Sequence, residues 1–73
     1  MMYGNAYYIA LMEGRYQPRI DVKEDASGSY EAVYEDAMGH RIAASHEDRN
    51  EAFRRCNDKV VEGIKAGDLH PFR

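Results

Sequence analysis

Three histidines, one cysteine and two adjacent carboxylate pairs are the residues of this 73-residue chain whose types could do chemistry. The histidines are His40, His46 and His70. Their spacing matches no zinc pattern, and only Cys56 is there to join them. His40 and His46 could approach each other across a short strand, but roles in surface loops or caps are the expectation for all three. Cys56 falls on the apolar side of a helical pattern. A reactive thiol needs an exposed, electropositive setting or a helix N-terminus, so Cys56 reads as a small buried hydrophobe. Glu24–Asp25 and Glu35–Asp36 each flank a turn. Paired acids divide into acid and base only when burial drives their pKa values apart, and exposed turns would leave them solvated. The chain has no phosphate-cradling loop, no G-x-G-x-x-G and no G-x-S-x-G. The expectation is a protein that is not an enzyme and holds no cofactor and no metal.

A second set of residues could bind rather than react. Arg15, Arg19 and Lys23 interleave with tyrosines, with Arg41 a further basic candidate, and aromatic residues among basic ones on a sheet can stack nucleic-acid bases. Against this, Tyr16 shares a strand face with Ile20 and Val22, and Asp21 interrupts Arg19 and Lys23. The net charge of −3 is uneven. Residues 1–44 carry four basic and seven acidic side chains, and residues 45–73 carry six of each. Affinity for nucleic acid rests largely on Lys and Arg at phosphates. Nucleic acid is therefore a disfavoured partner, and a basic protein surface a better one.

The elements that must position these residues follow from periodicity. Ala6–Met12 is a continuous apolar run of strand length and reads as strand one, with Glu13-Gly14 as a turn. Tyr16–Lys23 alternates: Tyr16, Pro18, Ile20 and Val22 on one face, Gln17, Arg19, Asp21 and Lys23 on the other. Pro18 cannot donate a ladder hydrogen bond, which makes that strand an edge or bulged. Asp25-Ala-Ser-Gly28 is a turn. Ser29–Asp36 is a third strand, with Tyr30, Ala32 and Tyr34 opposite Glu31, Val33 and Glu35. Ala37-Met-Gly39 turns again, and His40–Ala44 suits a short fourth strand. Asp48 with Glu51 forms a loose capping box. It opens a helix whose apolar stripe is Ala52, Phe53, Cys56, Val60, Gly63 and Ile64, stopped by Gly67 and Pro71. The fold class is α+β: an antiparallel sheet of three to four strands, packed on one face by a single C-terminal helix. One domain spans residues 1–73, with 1–5 and 68–73 as loose ends.

One helix can cover one face of such a sheet. Strand one is apolar on both, so Ile9 and Leu11 are expected in the core. Tyr8, Ala10 and Met12 are then expected at the surface as a contact patch, with Val33, Glu31 and Glu35 beside them. The strands, Gly39 and then Ser45-His-Glu-Asp48 opening an alanine-bearing helix are similar in outline to the arm-binding domains of phage-type integrases and to plant AP2 domains. The chain also resembles HicB-like antitoxins, which are small, acidic and strand-rich before their helix. The likeness covers about residues 6–66. The chain departs from the DNA-reading families in lacking Trp and in placing Glu31, Glu35 and Asp36 on strand three, so no functional residue is carried over. Three functions are expected in order: a non-catalytic protein-interaction module, self-associating through the sheet as a homodimer; an acidic inhibitor or antitoxin masking a basic partner; and a nucleic-acid binder using Arg15, Arg19, Lys23 and Arg41. The apolar run at 6–12 is too short for a membrane span and lacks the basic leader of a secretory peptide. With a lone cysteine, a cytoplasmic protein is expected.

Overall fold

Two turns of the same Asp-Ala-x-Gly pattern shape the sheet. The computed structural model, which describes residues 6–71, contains α1 (Ala6–Met12), β1 (Asp21–Glu24), β2 (Tyr30–Glu35), β3 (Arg41–His46) and α2 (Arg49–Ala66). Asp25-Ala-Ser-Gly28-Ser29 joins β1 to β2, and Asp36-Ala-Met-Gly39-His40 joins β2 to β3. In each, the Asp carbonyl accepts from the Gly N–H three residues on, and the Asp N–H donates to the carbonyl of the residue after the Gly. The Asp carboxylate takes the N–H groups two and four residues ahead. Gly28 and Gly39 have φ of 88° and 91°, which glycine adopts without a Cβ penalty. The result is a three-stranded antiparallel sheet in the order β1-β2-β3. Its register pairs Ala32 with Val22 on one side and with Ala44 on the other.

That register puts Val22, Tyr30, Ala32, Tyr34, Ile42 and Ala44 on one face, where the core lies. α2 covers it with Ala52, Cys56, Val60 and Ile64, each fully buried and four residues apart. This four-residue ridge is the helix's core-facing line. Burying Val60 and Ile64 contributes on the order of 1.5–3 kcal/mol each. Phe53, expected in the stripe, lies off that line and is 44% exposed. Asp48 caps the helix, accepting from the N–H groups of Asn50 and Glu51. The capping box is only half built: the Asp48 N–H donates to His46 Nδ1, and Glu51 turns instead to Arg54 and Arg55. Gly67, φ 85°, ends the helix, with Asp68 N–H returning to Gly63 O.

Residues 6–12 are a helix, not a strand. An apolar run without a period does not separate a buried strand from a buried helix segment. As a helix, the run satisfies its own backbone and presents Tyr7, Ala10 and Leu11, at i, i+3 and i+4, to the core around α2. Gly14, φ 77°, closes α1 as Gly67 closes α2: Arg15 N–H reaches Ala10 O and Gly14 N–H reaches Leu11 O. Downstream, the alternation from Tyr16 to Lys23 is realised in burial, but ladder pairing begins only at Asp21. Pro18 stays outside it. The strand expected at 40–44 forms and runs on to His46. Residues 68–71 are not a loose end, because Leu69 is 3% exposed and packs over Gly63. The ends expected to be loose at 1–5 and 72–73 lie outside the described residues. No helix of the described chain is long and apolar enough to cross a membrane.

Candidate functional site

The uncovered face of the sheet gathers the odd-numbered strand residues. Asp21 and Lys23 come from β1, Glu31, Val33 and Glu35 from β2, and Arg41, Ala43 and Ser45 from β3. Arg19, on the extended segment before β1, joins them. A shallow depression of about 330 Å³ lies there, lined by Arg19, Asp21, Lys23, Val33, Glu35 and Arg41. Val33 sits half-buried at its centre, between Asp21 and Ala43 in register. Lys23 stands opposite Glu31, and Glu35 opposite Arg41. Cross-strand opposites of this kind favour the sheet modestly. None of these six charged groups is in an ion pair within 4 Å among the described residues, whereas Glu51, Arg54, Arg55 and Asp58 on α2 are paired with one another.

A second cluster lies where the β2–β3 turn meets the chain after α2. The Asp36 side chain is wholly buried, although as a turn residue it was expected in solvent. Its Oδ1 accepts from Met38 N–H (2.9 Å) and His40 N–H (2.7 Å). Its Oδ2 accepts from His70 N–H at 2.7 Å and lies 3.0 Å from His40 Nδ1. Burial alone would raise the Asp36 pKa. The hydrogen bonds from His70, His40 and Met38 outweigh it, and the carboxyl sits well below the usual carboxylate range. The His40 and His70 rings lie 6.4 Å apart, and Tyr7 meets His70 edge-on at 5.7 Å. His40 thus approaches His70, not His46. Every carboxylate lone pair that Asp36 directs inward is spent on the fold, which makes this a structural clasp. Among the described residues, no group of three or more His, Cys, Asp or Glu could hold a metal ion.

No known family, curated protein or solved structure matches the chain. The reading of its surface therefore rests on the residues themselves. Of the contact candidates, Val33, Glu31 and Glu35 share the open face. Ala10 is 2% exposed and offers no surface, whereas Tyr8 is half-buried and packs in part against the core. Met12 is 66% exposed, with Ile9 beside it on the outer side of α1, away from the sheet. Of the basic candidates, Arg19, Lys23 and Arg41 converge on the open face. Arg15 does not, since it follows α1 and pairs with Glu13 at 2.8 Å. The acidic excess of residues 1–44 is not concentrated on the open face either. Three acids and three bases meet there, while Asp36 is buried and Glu13 is paired. Cys56 is fully buried with its thiol pKa raised by burial, and its Sγ lies 3.8 Å from Ile42 O.

Proposed function

We propose that this chain is a small, non-catalytic protein-interaction module that receives its partner on the open face of the sheet. Val33 carries the reading. It is a β-branched apolar side chain at the middle of the central strand, on the face no helix covers. Around it stand charged groups of both signs with no ion-pair partner among the described residues. An apolar centre inside a polar rim is the general anatomy of a protein contact. Alternating charges favour a partner that carries both signs, and they set orientation more than strength.

Arg19, Lys23 and Arg41 favour a second reading, nucleic acid on the same face. Asp21 and Glu35 stand between them and would meet phosphate with repulsion. One experiment separates the two. Wild-type protein and Val33→Glu, both folded by circular dichroism, are used as bait for cross-linked host proteins at low salt, with gel shifts of oligonucleotides in parallel. Partners recovered by the wild type and lost with Val33→Glu support the protein reading. Identical recovery by both baits refutes it. An oligonucleotide shift abolished by Lys23→Ala with Arg41→Ala replaces it with the nucleic-acid reading.

A further inference from the structure

The rim of the sheet, rather than its face, carries one more inference. β3 is an outermost strand. Asp36 N–H donates to His40 O, on the side of β3 that faces β2. Lys59 Nζ donates to Ala43 O, at 3.2 Å. Alternation along an antiparallel ladder then turns the backbone N–H and C=O groups of Arg41, Ala43 and Ser45 away from β2. Free strand edges invite a further strand, and proteins commonly blunt them with proline, bulges or charges. Here Arg41 places a charge within β3, and the Lys59 ammonium caps Ala43 O. That ammonium sits on a flexible stem that can swing clear.

We infer that a second copy of this chain pairs antiparallel with β3 along this edge, joining two sheets into one of six strands. The charge pattern beside the strand selects the occupant. α2 runs antiparallel to β3, and two adjoining depressions lie between them. One, about 410 Å³, is lined by Ala44, Ser45, Arg54 and Arg55; the other, about 470 Å³, is lined by Ile42, Glu62, Gly63, Asp68 and Leu69; they meet at Asp58 and Lys59. The flank carries the guanidinium groups of Arg54 and Arg55 at the Ser45 end, already paired along the helix with Glu51 and Asp58, and the carboxylates of Glu62 and Asp68 at the Ile42 end. A two-fold axis through Ala43 sets Ser45 opposite the partner's Arg41. It also brings each guanidinium end beside the other copy's carboxylate end. Parallel pairing would set like beside like. At the axis, Lys59 leaves Ala43 O and faces the partner's Asp58, and the freed Ala43 groups exchange two hydrogen bonds with the partner's Ala43. The interface is isologous and closes on itself, so it stops at a dimer. It uses a different surface from the open face and does not rest on the reading above.

Sedimentation equilibrium tests it, over micromolar to millimolar concentration. The wild-type mass is expected to rise from the 8.4 kDa of one chain toward twice that value. Ala43→Pro removes an N–H that points outward, spares the ladder to β2, and is expected to hold the mass at one chain. Charge reversal is an independent arm on the exposed surface of α2. Arg55→Glu alone and Glu62→Lys alone each weaken the dimer at least tenfold, and the two in one chain restore it. A monomer at every concentration overturns the inference. So does a dimer indifferent to Ala43→Pro, or a double reversal no better than either single one. Val33→Glu leaves this dimer unchanged, whereas a dimer built on the open face would lose it.

Discussion

Asp36→Asn separates the chemistry of the clasp from that of an ordinary turn. The substitution keeps the shape and one acceptor oxygen, which can still serve the N–H groups of Met38 and His40. The amide nitrogen then replaces Oδ2 and meets the His70 N–H donor to donor. A buried donor left without a partner costs about 1–3 kcal/mol. For a domain of this length the whole stability is on the order of 4–11 kcal/mol, so the change removes a large share. A loss of about 2 kcal/mol lowers the melting temperature by roughly 8–16 °C. The matched control is Asp25→Asn in the sister turn, whose exposed carboxylate makes the same two backbone contacts but holds no distant residue. Urea unfolding followed by circular dichroism compares the two. Asp25→Asn is expected to leave the midpoint nearly in place.

The same variant reports on pH. The folded pKa of Asp36 lies below its ordinary value. The stability its charge supplies is therefore complete above the usual carboxylate range near pH 4 and is lost as pH falls below it. Asp36→Asn should flatten that acid limb. If Asp36→Asn unfolds within about 0.5 kcal/mol of the wild type, the size of an ordinary surface effect, the reasoning about the clasp is refuted.

Three further outcomes are expected. Tyr34 is 2% exposed, its hydroxyl lies 2.9 Å from that of Tyr16, and burial pushes its pKa up. Ultraviolet titration should show a tyrosine that ionises only with alkaline unfolding, and Tyr34→Phe should cost about 1 kcal/mol. A Cβ added at Gly63 would lie 2.7 Å from Leu69 Cδ1. Overpacking of about 1–3 kcal/mol should then outweigh the gain of up to about 1 kcal/mol from a better helix former, making Gly63→Ala a net loss in thermal melts. Cys56 should react with a thiol reagent at the rate of global unfolding, and fast labelling of the native protein would contradict its burial.

Local pattern made much of this fold legible. The alternation from Tyr16 to Lys23 gave the correct faces even where no ladder forms, because side-chain direction depends on extended backbone rather than on pairing. The stripe Ala52, Cys56, Val60 and Ile64 gave the helix and its buried side. Two misreadings have physical causes. Ala6–Met12 has no polar residue to mark a period, so its apolar composition fits either element. Only the place left for it beside α2 decides. Asp36 and Asp25 stand in the same D-A-x-G setting, so nothing local announces that one is buried. What differs is His70, 34 positions along the chain. Of the candidate site, Val33, Glu31, Glu35, Arg19 and Lys23 followed from strand parity, whereas Arg41 was placed on that face by the β2–β3 register. Ala10 fell with the strand that was to carry it, since the helix turns it inward.

The contact between Asp36 and His70 also bears on the order in which the molecule assembles. β2, β3 and α2 each lie against the element that precedes them, while α1 docks on the distant α2, so hairpins and helix can nucleate from short-range encounters, the topology associated with rapid folding. The fastening of residues 69–71 beneath the second turn is a long-range closure, and it can form only once both ends exist. Amide exchange at His70 would then mark the last latch to shut and the first to open. Before that latch closes, the molecule would pass through a nearly finished shape in which residues 69–71 are not yet docked.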